Sequence, residues 1–303
     1  MQSVSISVVK NEADIIEAMV RHNCQFLDHM TIVDNGSLDG TWEILQALEA
    51  EGLPLSIQQD TKLGHRQVDI VNRFVSGPGC DRSAYVFFLD GDEFISSTKE
   101  KFDTYLAGKP GNFKLHWKTY VPTETDDPTD PNVLTRIRNR RRHEPSKKSD
   151  HKVVLSPGHA GKVEISSGSH YIRRSPMANQ KDIRLAHFPI RSAEQLASKA
   201  LLGSWNIRLR GRQRTEAFQW FDLADRIRKE GLPDAVQLKA YANTYAADRT
   251  FRLVTDPLVS PMAIELRHSR LSRSPLLSAM IQFTDFLVEE LEAKLRDPDV
   301  TEG

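Results

Sequence analysis

Strand-like and helix-like patterns alternate through the first ninety residues, and this alternation restricts the fold more than any other feature of the chain. Val4 to Val9 is a β-branched run, followed by a helical stretch with Ile16, Met19, Val20 and Asn23 on one face. Met30 to Val33 reads as a second strand, about Thr41 to Ala50 as a helix, Leu55 to Gln59 as a third strand and Val68 to Phe74 as a helix. Tyr85 to Leu89 is wholly apolar, as expected of a strand covered on both faces. Such repetition predicts an α/β fold with a mostly parallel sheet, right-handed crossovers and flanking helices. The 303 residues suffice for one large α/β unit or two modest domains.

The polar residues then fall at informative places. Lys10, Asn11 and Glu12 follow the first strand, Asp34 the second, Asp60 the third and Asp90 the fourth. Open parallel sheets bind ligands outside the carboxyl ends of their strands, so four strands aim polar groups at one crevice. Any one of these residues could equally mark a wet loop.

Beyond Phe94 the pattern changes. Ser97 and Glu100 form a capping box for a short helix reaching Leu106, and Phe113, Leu115 and Trp117 alternate as a strand. Thr119 to Ser149 lacks a clear period and is long for a connection, which suggests a functional or mobile loop. Short strands are predicted at Lys152 to Leu155, Lys162 to Ile165 and Ile183 to His187. From Arg191 the chain reads as helical. Ser192 and Gln195 make a capping box for a helix through about Trp205, and helices are predicted over Glu216 to Lys229 and Asp234 to Tyr245. A last helix sets Leu276, Met280, Phe283, Leu287 and Leu291 on one stripe. The expected division is 1–190 for the α/β domain and 191–303 for a mainly helical C-terminal region.

The sharpest chemical signal is Phe87-Phe88-Leu89-Asp90-Gly91-Asp92-Glu93-Phe94, a buried strand ending in three carboxylates. Asp90 and Asp92 can point the same way across Gly91, which lets the backbone approach a ligand closely. Clustered carboxylates raise one another's pKa unless a cation neutralises them, and Mg²⁺ or Mn²⁺ suits a hard oxygen site. A solvated Asp-Gly turn has the same spelling. In Asp34-Asn35-Gly36-Ser37-Leu38-Asp39-Gly40-Thr41 a strand breaks before a helix. Asp34 and Asp39 could accept hydrogen bonds from a base or ribose, although Ser37 or Asp39 also fits a helix N-cap.

Taken together, Val8-Val9-Lys10-Asn11-Glu12, the Asp34 to Thr41 segment and Leu89-Asp90-Gly91-Asp92-Glu93-Phe94 resemble a family-2 type glycosyltransferase of the GT-A fold. His187-Phe188-Pro189-Ile190-Arg191-Ser192, with Glu194, Gln195, Lys199 and Gly203, is similar to a segment of the branch near family 92. The resemblance spans about residues 3 to 203. It implies sugar transfer from a nucleotide donor, of the UDP type, to a hydroxyl of a carbohydrate or glycoconjugate acceptor, with inversion, in polysaccharide or glycoconjugate synthesis. It implies Mn²⁺ or Mg²⁺ held by Asp90, Asp92, Glu93 and His187. Donor contacts would come from Lys10, Asn11, Glu12, Asp34, Asp39, Arg66, Gln67, Asp90 and Lys152, and acceptor contacts from Trp117 and Arg191. An inverting mechanism needs a base for the acceptor hydroxyl. His170 is the first candidate and Glu164 the second, with Asp92 the remaining catalytic group. His187 alone also reads as a strand-end histidine, Arg66 as a surface ion-pair partner and Trp117 as a core residue.

Composition narrows the alternatives. With 41 basic and 41 acidic residues the chain carries no formal charge, so no nucleic-acid partner is expected. The basic stretch Arg136 to His143 lacks aromatics for base stacking and reads as a solvated loop, or as an attractor for an acidic acceptor. No segment reaches the ~20 apolar residues needed to cross a bilayer, and Met1 to Asn11 does not read as a signal peptide. Two cysteines, Cys24 and Cys80, point to a cytoplasmic setting. The competing functions are a nucleotidyltransferase on the same scaffold, without the usual Gly-rich phosphate loop, and a non-catalytic sugar- or nucleotide-binding protein.

Overall fold

The computed structural model describes residues 2–62, 67–145, 150–209 and 218–269, with scattered positions between 283 and 291. In chain order the elements are β1 (Ser3–Val9), α1 (Ile16–Asn23), β2 (His29–Asp34), α2 (Thr41–Ala50), β3 (Leu55–Gln59), α3 (Gln67–Ser76), β4 (Tyr85–Phe88), β5 (Glu93–Ser96), α4 (Lys99–Ala107) and β6 (Phe113–Thr119). They continue with α5 (Val133–Arg136), β7 (Asn139–Arg141), β8 (His151–Leu155), β9 (Ala178–Asn179), β10 (Arg184–His187), α6 (Ala193–Leu209), α7 (Phe218–Glu230), α8 (Ala235–Thr244) and β11 (Leu253–Thr255).

The main sheet runs β3-β2-β1-β4-β8-β6-β10-β5, with β9 beside β6. The first four strands are mutually parallel, as the strand–helix alternation requires. β8 runs antiparallel between β4 and β6, and β5 antiparallel along β10. The result is a mixed α/β, mostly parallel sheet flanked by helices, consistent with a GT-A fold. The apolar run of β4 is explained by its two faces. Tyr85 and Phe87 join the core under α1, α2 and α4, while Val86 and Phe88 join the core packed on Ile70, Val71 and Val75 of α3.

Several sequence expectations shift by local chemistry. The N-cap of α4 is Thr98, whose side chain accepts from the Lys101 amide, rather than Ser97, whose Oγ donates to the Asp182 carbonyl. Ser192 Oγ accepts from the Gln195 backbone amide, but the Gln195 side-chain oxygen Oε1 takes the Arg191 amide, one residue before the expected partner. Asp234 and Gln237 complete a reciprocal capping box on α8. Lys162 to Ile165 is not a strand, Ile165 making only a single bridge to Ile172.

The stretch from Thr119 is built rather than loose. It contains α5 and β7, and β7 pairs with β11. Three of its arginines, Arg136, Arg140 and Arg141, have structural partners. Arg141 is 2% exposed and donates to the carbonyls of Ala242 and Tyr245, and Arg140 pairs with Asp256 at 2.6 Å. Fixed acceptors thus occupy Arg136, Arg140 and Arg141, where a solvated basic loop is the wrong description, while Arg138, Arg142 and His143 are exposed. The chain beyond 190 is helical over α6 to α8 and packs on Val121 and Ile190. Leu276 and Met280 of the predicted last helix lie outside the described residues, as does most of that helix; Phe283 is buried and Leu291 exposed. No described helix is long and apolar enough to cross a membrane.

His22 fastens α1 to β5. Its Nε2 lies 2.7 Å from the Ile95 carbonyl and its Nδ1 2.7 Å from Ser260 Oγ, and burial holds its pKa down, at about 4. The folded protein then keeps this ring neutral while the unfolded chain takes up a proton below pH 6.5. Stability is expected to fall as pH drops from 6.5 towards 4, this residue contributing up to about 3 kcal/mol of the loss. Urea unfolding across that range should show a shallower pH slope for His22→Gln. An unchanged slope would remove His22 from the account.

Candidate active site

The carboxyl ends of β1, β2 and β4 lie side by side, and each gives way to a polar turn. The β1 and β2 turns are tied together by their own side chains. Asn11, at φ 55°, donates its amide to Ser37 Oγ and accepts the Leu38 amide on Oδ1. Asp39 accepts from the Thr41 amide and hydroxyl on one oxygen and from the Ala13 amide on the other. Lys10 Nζ bonds the Asn35 carbonyl at 2.9 Å, and Asp34 Oδ2 accepts the Ser37 amide. At the end of β4 close packing demands a glycine: a Cβ on Gly91 would come within 3.0 Å of Glu12 Cγ and 3.2 Å of Val9 Cγ1.

These turns border a cleft of about 330 Å³. Its floor holds Asp90, Asp92 and Glu12, and its walls include Lys10, Lys152, His170, His187, Lys199 and Tyr245. Asp90 is one-third exposed and accepts from Gln67 Nε2 at 2.7 Å and from Lys152 Nζ at 2.6 Å. Asp92 is buried. Lys199 Nζ lies 3.4 Å from it, His187 Nε2 3.6 Å and Arg191 Nη1 3.8 Å. Burial alone would raise its pKa, but Lys199, His187, Arg191 and Lys152 outweigh that and hold it low, so Asp92 is anionic. Glu12 is pushed up by burial against the opposing pull of Arg191 and Lys199.

His187 stacks on Trp117, ring centroids 4.3 Å apart, and burial lowers its pKa to about 4. The neutral ring can coordinate a cation, and its Nδ1 is buried with no hydrogen-bond partner among the described residues. His170 Nδ1 lies 2.6 Å from the His151 carbonyl, which can only accept, so Nδ1 holds the proton and Nε2 keeps its lone pair. The ring borders the cleft, where burial lowers its pKa.

The cleft thus gathers Lys10, Glu12, Gln67, Asp90, Asp92, Trp117, Lys152, His170 and His187 from the sequence expectation. Five other residues behave differently from it. Glu93 is fully buried and both its oxygens are taken, by Trp117 Nε1 at 2.6 Å and the Asp90 amide at 2.9 Å. In this arrangement it braces the Asp90 turn. Asp39 and Asn11 are spent on joining two loops and leave no free carboxylate or amide oxygen for a nucleotide. Arg191, expected at the acceptor, is sealed inside and forks onto Asp14 and Glu12. Glu164 is exposed, pairs with Arg173 at 3.3 Å and does not line the cleft. Arg66 lies outside the described residues. Asp34 is buried beside the cleft, and its Oδ1 has no partner among the described residues. Lys199 and Tyr245 also line the cleft, reaching it from α6 and from just past α8. Lys199 belongs to the segment similar to the family 92 branch, with no role implied for it there, and no sequence pattern singles out Tyr245.

Residues 5–101 match the family model described as glycosyl transferase family 2. The matched segment, about a third of the chain, runs from β1 into α4 and includes Glu12, Asp34, Asp90 and Asp92, so the likeness to glycosyl transferase family 2 is one of this segment. No curated protein matches the chain significantly. Among solved structures, a mannosyltransferase from Pyrobaculum calidifontis in complex with GDP-Man and Mn²⁺ is 21% identical, with a TM-score of 0.29, over 38% of this chain and 35% of that one. The chain therefore spans about a third of that relative's length. A glucose-1-phosphate thymidylyltransferase from Bacillus anthracis is 12% identical over 61% and 89% of the two chains, TM-score 0.36. A mannose-6-phosphate isomerase from Helicobacter pylori is 9% identical over 52% and 72%, TM-score 0.31. Overlaps of this extent do not define a shared fold.

Proposed function

We propose that the chain transfers a sugar from a nucleotide-linked donor, of the uridine type, to a hydroxyl of a carbohydrate or glycoconjugate acceptor, with inversion, in polysaccharide or glycoconjugate synthesis. The observation that carries this is the juxtaposition of Asp90 and Asp92 with three lysines at the carboxyl end of β4; both carboxylates and Lys10 lie in the segment that matches the glycosyl transferase family 2 model, whereas Lys152 and Lys199 come from beyond it. Carboxylates alone would repel a diphosphate. Interleaved with Lys10, Lys152 and Lys199, they form a site of balanced charge that receives an anion and orients it.

In this reading the nucleoside lies over the turns after β1 and β2, near Lys10, Glu12 and Asp34, whose Oδ1 has no partner among the described residues. The diphosphate lies towards Lys152 and Lys199. The donor set suits a divalent ion: Asp92 and the neutral His187 approach each other at 3.6 Å and would hold it together with Asp90, which now pairs with Lys152. When bound, Mn²⁺ or Mg²⁺ would offset the charge developing on the departing diphosphate. His170 Nε2 accepts the acceptor hydroxyl's proton as that oxygen attacks the anomeric carbon and the carbon–phosphate-oxygen bond breaks. Trp117, at the cleft wall, is available to the sugar face. The two free cysteines fit a cytoplasmic setting for this chemistry.

A donor panel reading release of UDP, GDP or CMP, with and without Mn²⁺, tests the proposal. One nucleotide class, UDP first, is expected to be released in a metal-stimulated manner. Calorimetry with UDP and Mn²⁺ separates the alternatives: binding without turnover on any donor would favour a binding protein, and the absence of both would end the enzyme reading.

A further inference from the structure

A second cluster of ligating side chains stands apart from those residues. His116 of β6 and His151 of β8 are paired directly across their antiparallel ladder, so both side chains leave the same face of the sheet. Asp150 is fixed beside them by its carbonyl, which accepts the Trp117 amide at 3.0 Å. His116 Nδ1 lies 3.5 Å and His151 Nδ1 3.3 Å from the same oxygen, Asp150 Oδ1. One ligand atom from each of the three lies within 4.8 Å of the other two. None of them lines the cleft.

The hydrogen bonding of His151 makes this arrangement unstable as it stands. Its Nε2 is 2.8 Å from the His170 carbonyl, which only accepts, so Nε2 carries the proton. A neutral ring then turns the lone pair of Nδ1 towards a carboxylate oxygen, and two acceptors at that separation repel. A cation between them resolves the conflict. A second proton on the ring would also do so, but burial of His151, 3% exposed at the side chain, opposes it.

We propose that His116, Asp150 and His151 form a transition-metal site of the zinc type, separate from Asp92, with water as the fourth ligand. Two imidazoles and one carboxylate favour Zn²⁺ over the harder Mn²⁺ and Mg²⁺. Bonds of about 2.0 Å in a tetrahedron give ligand–ligand edges of roughly 3.3 Å, close to the two distances to Asp150 Oδ1. The His151 Nε2–H to His170 carbonyl bond is the outer contact that orients a ligating histidine. The side chains of His116 and Asp150 are 25% and 16% exposed, which gives an ion a route from solvent. Because His170 Nδ1 returns a bond to the His151 carbonyl, the ion would also steady the segment carrying the proposed base.

The test uses the full chain, stripped with chelator and titrated with Co²⁺ and then Zn²⁺. One equivalent of Co²⁺ should give the visible absorption of a tetrahedral site and be displaced by Zn²⁺. His116→Gln and Asp150→Asn should each weaken Co²⁺ binding by ~10–100-fold or more, whereas Asp92→Asn should leave the absorption unchanged. Circular dichroism checks that each variant is folded, and the partial exposure of both residues makes two independent folded variants available. No absorption from the folded wild-type chain would overturn the site. So would a signal that survives in His116→Gln and Asp150→Asn and disappears in Asp92→Asn.

Discussion

Asp92→Asn is expected to cut donor turnover by ~10²–10³-fold or more while leaving a folded protein. The carboxylate lies where Lys199, His187 and Arg191 converge, and their combined charge keeps it ionised despite burial. An amide keeps its size and one acceptor oxygen, and the Asp92 backbone carbonyl still receives the Phe188 amide at 2.9 Å. The loss is therefore charge, at the point where a cation or a diphosphate must be aligned. The fold tolerates that loss for two reasons: Arg191 retains Glu12 and Asp14, and Lys199, 30% exposed at its side chain, can turn to water. Single-turnover release of nucleoside diphosphate, measured beside the thermal midpoint, separates the two effects. Wild-type turnover in this variant would sink the assignment of the cleft, and loss of activity only in step with unfolding would reduce Asp92 to a structural role.

The largest effect on stability is expected from Arg191→Met, at about 3–5 kcal/mol. Arg191 is shielded from solvent and satisfies three residues on two segments at once. Nε and Nη2 bond Asp14 at 2.7 and 2.8 Å, Nη2 bonds Glu12 at 2.6 Å and Nη1 bonds the Phe188 carbonyl at 3.0 Å. Removing the guanidinium leaves Glu12 facing Asp14 and Asp92 without their shared counter-ion. Lysine should restore only part of the loss, because one ammonium cannot reproduce the planar fork. The pH dependence has a definite sign. The folded-state pKa of Glu12 is already raised by burial and rises further in the variant, so protonation at low pH relieves the repulsion there and not in the unfolded chain. The deficit of Arg191→Met relative to wild type should thus be smaller at pH 5 than at pH 8 in urea unfolding. An equal deficit at both pH values would mean that lost packing, not unpaired charge, is what the substitution costs.

The part of this protein legible in its sequence is the part whose causes are local. The apolar stretch Tyr85 to Leu89 could only be a covered strand, and Leu55–Gln59 and Thr41–Ala50 fold over the residues their patterning implies. Asp90 and Asp92 follow β4 by necessity, because a strand of that composition has to stop where carboxylates begin, and parallel neighbours put Lys10 and Glu12 next to them. What a carboxylate or guanidinium does once there is not a local matter. Asp39 and Glu93 have the spelling of ligands, yet in each one oxygen is taken by a neighbour in sequence, Thr41 or the Asp90 amide, and the other by a distant segment, the Ala13 amide or Trp117 Nε1. Arg191 has the spelling of a surface contact and is the buried counter-ion of Glu12 and Asp14, about 180 positions earlier. The pairing of His116 with His151 depends on a register set by strands 35 positions apart. Side-chain type and strand periodicity travel with the chain, whereas the partner that fixes a polar group's charge and availability is chosen only when distant segments meet.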